Sequence, residues 1–121
     1  ENIQNDLLIK DIRNPLNLDK YDIVICTEVA EHIEPNSLHD FILNIREATG
    51  VYLIMTWSNS YPAFSAPPQH VSSLKYSDYL KIMNEYKFIK NIDLTNNFIS
   101  DSKNKVNFNY WWRDSLVVFE T

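Results

Sequence analysis

The sequence predicts an α/β fold with a mostly parallel sheet, and three neighbouring segments carry that prediction. Residues 23–26 and 51–55 are continuous apolar runs, rich in β-branched residues, of the kind found in parallel strands buried on both faces. Between them, a helix-start signal at residues 34–37 precedes a stripe of apolar residues at helical spacing. A strand, a helix and a strand with short joins are typical of a crossover unit with two parallel strands.

The first half of the chain supplies two further elements and a cap. Residues 7–9 are a short apolar run that predicts a strand, and residues 13–20 predict a loop that contains Pro15. Gly50 occupies the position of a helix C-terminal cap. The helix stripe consists of Leu38, Phe41, Ile42 and Ile45.

The second half predicts alternating loops, a helix and strands. Residues 58–73 are rich in Ser, Pro, Ala and Asn and predict a long loop, a type of segment that often carries function. Residues 76–87 predict a second helix. Two final strands are predicted over residues 88–94 and 115–119, with a polar, irregular segment at 96–109.

Length and composition bound the class of protein. The 121 residues fit one domain over 1–121, and a net charge of -5 argues against a broad electrostatic grip on nucleic acid. A single cysteine, Cys26, excludes an intramolecular disulfide and suits a reducing cytoplasm. No stretch approaches a membrane span, so a membrane partner is not expected. Gly50 is the only glycine, so these residues contain no glycine-rich nucleotide loop.

An acidic and imidazole cluster follows the strand at 23–26. Glu28, Glu31 and His32 are spaced i, i+3 and i+4, so one helical turn would place all three on one face. That face would lie at the carboxyl end of the sheet, where open α/β folds bind ligands. Two carboxylates and an imidazole can form part of a Mg²⁺ or Mn²⁺ site, with His70 as a fourth ligand.

The segment from Tyr21 to Ile33 resembles the fourth strand and Glu-x-x-Glu-His motif of class I methyltransferases that use S-adenosylmethionine (SAM). Gln69-His70-Val71 is similar to a Gly-His-Val/Ile-Asn segment of one branch, and residues 110–116 resemble its Trp-rich ending. The resemblance implies a three-layer Rossmann-like sheet, mostly parallel with an antiparallel C-terminal strand.

The resemblance also assigns roles to individual residues. It implies that Asp11, Ile12, Thr27 and Glu28 contact the cofactor, and that Glu31 and His32 are catalytic. Small-RNA 2′-O-methyltransferases have a similar Glu-x-x-Glu-His cluster with a distant histidine, which implies a metal held by Glu28, Glu31, His32 and His70. Many related enzymes use the Glu-His pair without metal, and that alternative stays open.

The family's first two strands and its glycine loop would precede Glu1. We therefore expect that this chain is incomplete, or that its N-terminal half is disordered, separately encoded or supplied by another subunit. The unpaired sheet edges favour a homo-oligomer. By itself, this chain should not bind SAM tightly or be active.

Three functions are compatible with these residues. The first is methyl transfer to a small-molecule or sugar-like acceptor, with this chain forming the acceptor side of the site. The second is metal-dependent RNA 2′-O-methylation, against which the acidic charge counts. The third is a truncated, non-catalytic module that acts through self-association or a partner.

Several candidate residues also have a purely structural interpretation. Asp11 is equally compatible with a turn, Arg113 with an ion pair, and residues 61–68 with either a lid or a disordered loop. Large aromatics usually supply packing area, so the three tryptophans are expected in the core or at subunit contacts. His39 is expected on the helix surface, and Cys26 is expected to be buried and inert. The tryptophans are Trp57, Trp111 and Trp112.

Overall fold

The computed structural model describes residues 7–58, 69–105 and 114–121. These residues form a mixed four-stranded sheet and three α-helices. The strands are β1 (Tyr21–Cys26), β2 (Thr49–Met55), β3 (Ile89–Lys90) and β4 (Val117–Glu120). The helices are α1 (Leu38–Ala48), α2 (Tyr76–Glu85) and α3 (Ile92–Lys105), and short 3₁₀ turns occupy Ala30–His32 and Pro35–Ser37.

The sheet order is β1-β2-β4-β3. Strands β1 and β2 run parallel, as the crossover pattern predicts, and Cys26 pairs with Met55 at their carboxyl ends. Strand β4 is antiparallel to both β2 and β3. The predicted antiparallel C-terminal strand is therefore confirmed.

The core lies on the face of the sheet that α1 and α2 cover. Phe41, Ile42 and Ile45 of the predicted helix stripe are buried there, with Leu53 and Met55 of β2. The stripe packs because residues at i, i+3 and i+4 share one helix face.

The opposite face is open along β1, so the prediction of a strand buried on both faces is wrong. Ile23 is 56% exposed and Ile25 is 68% exposed. Strand β1 is the edge of the sheet among the described residues, and α3 lies across only part of this face. Ile23, Ile54 and Phe98 help line an apolar concavity of about 300 Å³ there.

The strand predicted at residues 7–9 is also absent. These residues form no regular structure, and Ile9 is 99% exposed. A strand needs a hydrogen-bonding neighbour, and none of the described strands lies beside this segment.

Gly50 is not a helix cap. Helix α1 ends at Ala48, and Gly50 lies within β2 without a positive φ. A Cβ at Gly50 would lie 2.9 Å from the carbonyl oxygen of Tyr21, so glycine permits the close approach of β1 to β2.

The predicted strand at 88–94 is reduced to the two residues of β3, and most of the segment expected to be irregular is α3. The side chain of Asn91 accepts a hydrogen bond of 2.8 Å from the amide of Leu94, which caps the helix start. Leu94 and Phe98 are spaced i, i+4 on its apolar side. Residues 106–109 of the expected irregular segment lie outside the described residues.

Candidate functional site

The candidate site lies beyond the carboxyl ends of the parallel strands β1 and β2. The backbone pairing between β1 and β2 continues one residue beyond β2, because the amide of Thr56 donates to the carbonyl of Cys26 over 3.2 Å. Thr56 is fully buried. Ligand sites of open α/β folds lie at this end of the sheet, where successive loops diverge.

Glu28 has a left-handed backbone, with φ of 59°. Its amide donates to the Thr56 hydroxyl over 2.8 Å, and that hydroxyl donates to Oε1 of Glu28 over 2.9 Å. One buried hydroxyl therefore holds both the backbone and the carboxylate of Glu28. Sequence reasoning missed Thr56, although a polar residue directly after a buried strand was an available signal.

Glu31 lies in the 3₁₀ turn Ala30–His32 and its side chain is fully buried. Among the described residues, neither of its carboxylate oxygens has a hydrogen-bond partner. Burial raises the pKa of Glu28 above its ordinary value, and the adjacent Glu31 carboxyl raises it further. The Thr56 hydrogen bond acts in the opposite direction.

The predicted common helical face of Glu28, Glu31 and His32 is wrong. The left-handed turn at Glu28 interrupts the helix that the spacing required, so no single helical face carries all three residues. The chain instead buries Glu31 and leaves His32 exposed.

His32 and His70 are brought together from segments that are far apart in the sequence. Nδ1 of His32 lies 3.0 Å from the carbonyl oxygen of Gln69, so the protonated Nδ1 donates and Nε2 keeps a free lone pair. The two imidazole rings meet edge to face with centroids 4.8 Å apart. Nδ1 of His70 is buried and has no partner among the described residues.

Glu31, His32 and His70 together form a candidate cation site. One ligand atom from each of the three residues lies within 4.8 Å of the others. Side-chain rotation would have to shorten these separations, because imidazole and carboxylate ligands lie about 2.0–2.2 Å from a divalent ion such as zinc. The backbone carbonyl that orients His32 is the usual outer partner of a metal-binding histidine. Glu28 adjoins this group but is not a member of it.

The predicted cofactor residues at positions 11 and 12 lie in a turn, not at the end of a strand. Asp11 forms an exposed ion pair with Arg13 over 2.7 Å, and hydrogen bonds from the Arg13 guanidinium and then from the Arg13 amide lower the pKa of Asp11 to about 2. Ile12 is partly buried against the core, and its carbonyl accepts from the side chain of Asn44. Asn44 is buried in α1 and also holds Leu16, so it anchors this segment to the helix.

Three residues for which a structural role was expected lie in the described part of the chain, namely Trp57, His39 and Cys26. Trp57 is buried in the core and packs on Tyr79, as expected for a packing aromatic. His39 is on the helix surface, where it contacts the hydroxyl of Tyr86. Cys26 is buried, and burial followed by the charge of Glu31 raises the pKa of its thiol to about 12. The predictions for residues 61–68 and for Trp111, Trp112 and Arg113 lie outside the described residues.

Thr27, a predicted cofactor contact, is half-buried in the short connection between β1 and the Glu31 turn. It therefore lies at the ligand-binding end of the sheet, close in sequence to Glu28. No helix in the described ranges is long and apolar enough to cross a membrane.

Comparisons with known proteins give the fold and leave the family open. No family model matches the sequence, and no curated protein matches it. The structure is similar to that of magnesium protoporphyrin IX methyltransferase from Synechocystis PCC 6803, crystallised with bound SAH (S-adenosylhomocysteine), with a TM-score of 0.56 and 16% sequence identity. The match covers 92% of this chain and 48% of that enzyme, so the chain spans about half of its length. The chain thus has a methyltransferase-like α/β fold.

Proposed function

We propose that this chain belongs to a SAM-dependent methyltransferase and supplies the acceptor side of its site, with a small-molecule or sugar-like hydroxyl as the acceptor. The fold similarity supports a methyltransferase origin. The observation that carries the site is the fully buried carboxylate of Glu31, unpartnered within the described ranges, beside two imidazoles at the carboxyl end of parallel strands. A buried charge without a partner is costly, so such groups are found where a ligand completes them.

Each residue of the site would have its own role in methyl transfer. His32 is exposed and has a free Nε2, so it can accept the proton of an acceptor hydroxyl as the methyl group is transferred. Glu31 would stabilise the imidazolium that forms. Thr27 and Glu28 would face the cofactor, together with Asp11 and Ile12, and residues outside these 121 would hold its methionine end.

A divalent cation at Glu31, His32 and His70 is the alternative form of the proposal, in which Nε2 of His32 binds the ion instead of accepting the proton of the acceptor. Glu31 and His70 supply buried acceptor atoms that lack a partner within the described ranges, and the Gln69 carbonyl fixes the tautomer of His32. Two imidazoles beside a carboxylate suit Mn²⁺ better than Mg²⁺, which prefers oxygen ligands. When bound, such an ion lowers the pKa of a coordinated hydroxyl.

The cofactor proposal is tested by isothermal titration of the complete protein with S-adenosylhomocysteine. Binding that saturates at one site per molecule is expected. Absence of detectable binding by the folded, complete protein would refute methyl transfer and favour a non-catalytic module that acts through self-association or a partner.

The cation proposal is tested separately, by titrating this chain with Mn²⁺ and following the electron paramagnetic resonance signal of the free ion. His70→Ala should weaken binding at least about tenfold, the usual effect of disturbing a metal site. His39→Ala is the matched control, because His39 is exposed on α1 and outside the cluster. Equal Mn²⁺ affinity in the two variants would contradict the assignment.

The same variants separate small-molecule from RNA methylation. A metal-dependent RNA 2′-O-methyltransferase would lose activity on a short RNA in EDTA and in His70→Ala. The net charge of -5 favours the small-molecule acceptor, since RNA binding relies on basic surface.

A further inference from the structure

Ser72 joins three separate parts of the candidate site. Its amide donates to the carbonyl of Glu31 over 3.0 Å, and its hydroxyl donates to the carbonyl of Ile33. Its own carbonyl accepts from the indole Nε1 of Trp57 over 2.6 Å. Ser72 is buried, so each of these hydrogen bonds is shielded from competing water.

These contacts fix the short segment that carries His70. At one end, the carbonyl of Gln69 accepts from His32, and at the other end Ser72 is bonded to the backbone of the Glu31 turn. His70 lies between these two points of attachment. The distance between the rings of His70 and His32 therefore depends on both attachments. His32 supplies the first of them, and neither histidine supplies the second.

Of the three hydrogen bonds of Ser72, one is made by its side chain, in which the hydroxyl donates to the carbonyl of Ile33. The other two bonds use backbone atoms of Ser72, which any residue except proline would provide. The next residue, Ser73, has a buried hydroxyl without a hydrogen-bond partner among the described residues. Two adjacent serines thus differ in whether the hydroxyl is bonded, which makes Ser73 a matched control.

We propose that Ser72 is a positioning residue that holds His70 against Glu31 and His32. The consequence for cation binding rests on the function proposed above, whereas the effect on the histidine pair does not. Outer partners that orient metal ligands typically contribute a factor of about 10–100 in metal affinity. Because two of the three contacts survive in Ser72→Ala, we expect the lower end of that range, about a tenfold loss of Mn²⁺ affinity.

The test compares Ser72→Ala with Ser73→Ala in this chain by two measurements. The first is the nuclear Overhauser cross-peak between the ring protons of His32 and His70, and the second is Mn²⁺ affinity. Ser72→Ala should weaken the cross-peak and bind Mn²⁺ about tenfold more weakly, and Ser73→Ala should match the wild type in both. Thermal unfolding of both variants shows whether the effect is local.

The outcomes separate this proposal from the cation site itself. A cross-peak weakened only in Ser72→Ala supports the positioning role, even if the wild type binds no Mn²⁺ and the cation site fails. An unchanged cross-peak in Ser72→Ala overturns the positioning role, whatever the Mn²⁺ affinity.

If Ser72→Ala does not fold, the hydroxyl proton of Ser72 in the wild-type chain provides the decision. Because this hydroxyl is buried and donates to the carbonyl of Ile33, its proton should exchange slowly with water and be visible in the NMR spectrum. A Ser72 hydroxyl proton in fast exchange with water overturns the proposal.

Discussion

Replacing Thr56 by valine should lower the free energy of unfolding, because it removes a single buried hydroxyl. Valine has nearly the same shape, so packing changes little. The hydroxyl accepts from the amide of Glu28 and donates to its carboxylate. In Thr56→Val the Glu28 amide is left without its acceptor in a partly buried position.

The expected cost follows from these two bonds. Leaving a buried donor unsatisfied costs about 1–3 kcal/mol, and Glu28 is partly exposed, so we expect about 2 kcal/mol for Thr56→Val. Thr49→Val is the matched control, because Thr49 is equally buried and its hydroxyl donates to the carbonyl of Ile45. In the control, the Ile45 carbonyl still accepts a hydrogen bond from the backbone amide of residue 49. Thr49→Val should therefore lower the free energy of unfolding by only about 0.5 kcal/mol.

The assay is equilibrium urea unfolding of both variants and the wild type, with linear extrapolation of the free energy of unfolding. A loss in Thr56→Val no larger than in Thr49→Val would refute the reasoning, since it would mean that the Glu28 amide does not depend on this hydroxyl.

Four further predictions concern pH and the backbone. The folded protein raises the pKa of Glu28 above its ordinary value of 4.5, so stability should fall as pH rises from about 4.5 through the raised pKa. Urea unfolding at several pH values should show a weaker pH dependence in Glu28→Gln than in the wild type. In an NMR titration, Arg13→Gln should return the pKa of Asp11 from about 2 towards 3.8; no change would show that the ion pair is not its cause. Gly50→Ala should destabilise by about 1–3 kcal/mol, because its Cβ meets the neighbouring strand; a neutral effect would contradict that contact. Lys87→Gly should stabilise by about 0.5 kcal/mol, because Lys87 has a φ of 68°, and a loss of stability would contradict the left-handed backbone.

The sequence by itself determined the elements that depend on short-range periodicity. The parallel pair β1 and β2, the buried stripe of α1, and α2 were all predictable, because strand and helix patterns repeat every two or about 3.6 residues. It also placed Glu31 and His32 after β1, since a motif of adjacent residues moves with its strand.

Only the tertiary structure decided which faces are covered and which distant segments meet. Ile23 and Ile25 have the sequence of a strand buried on both faces, but their exposure depends on what lies across the sheet. Residues 88–94 have the pattern of a strand and residues 96–109 look irregular by composition, but the Asn91 cap and packing against β4 make residues 92–105 a helix.

The approach of His70 to His32 likewise depends on contacts made 37 residues apart along the chain, through Gln69. The burial of Glu31 depends on the same packing. No local pattern encodes these contacts, because they form only when the chain closes the loop around Ser72 onto the Glu31 turn.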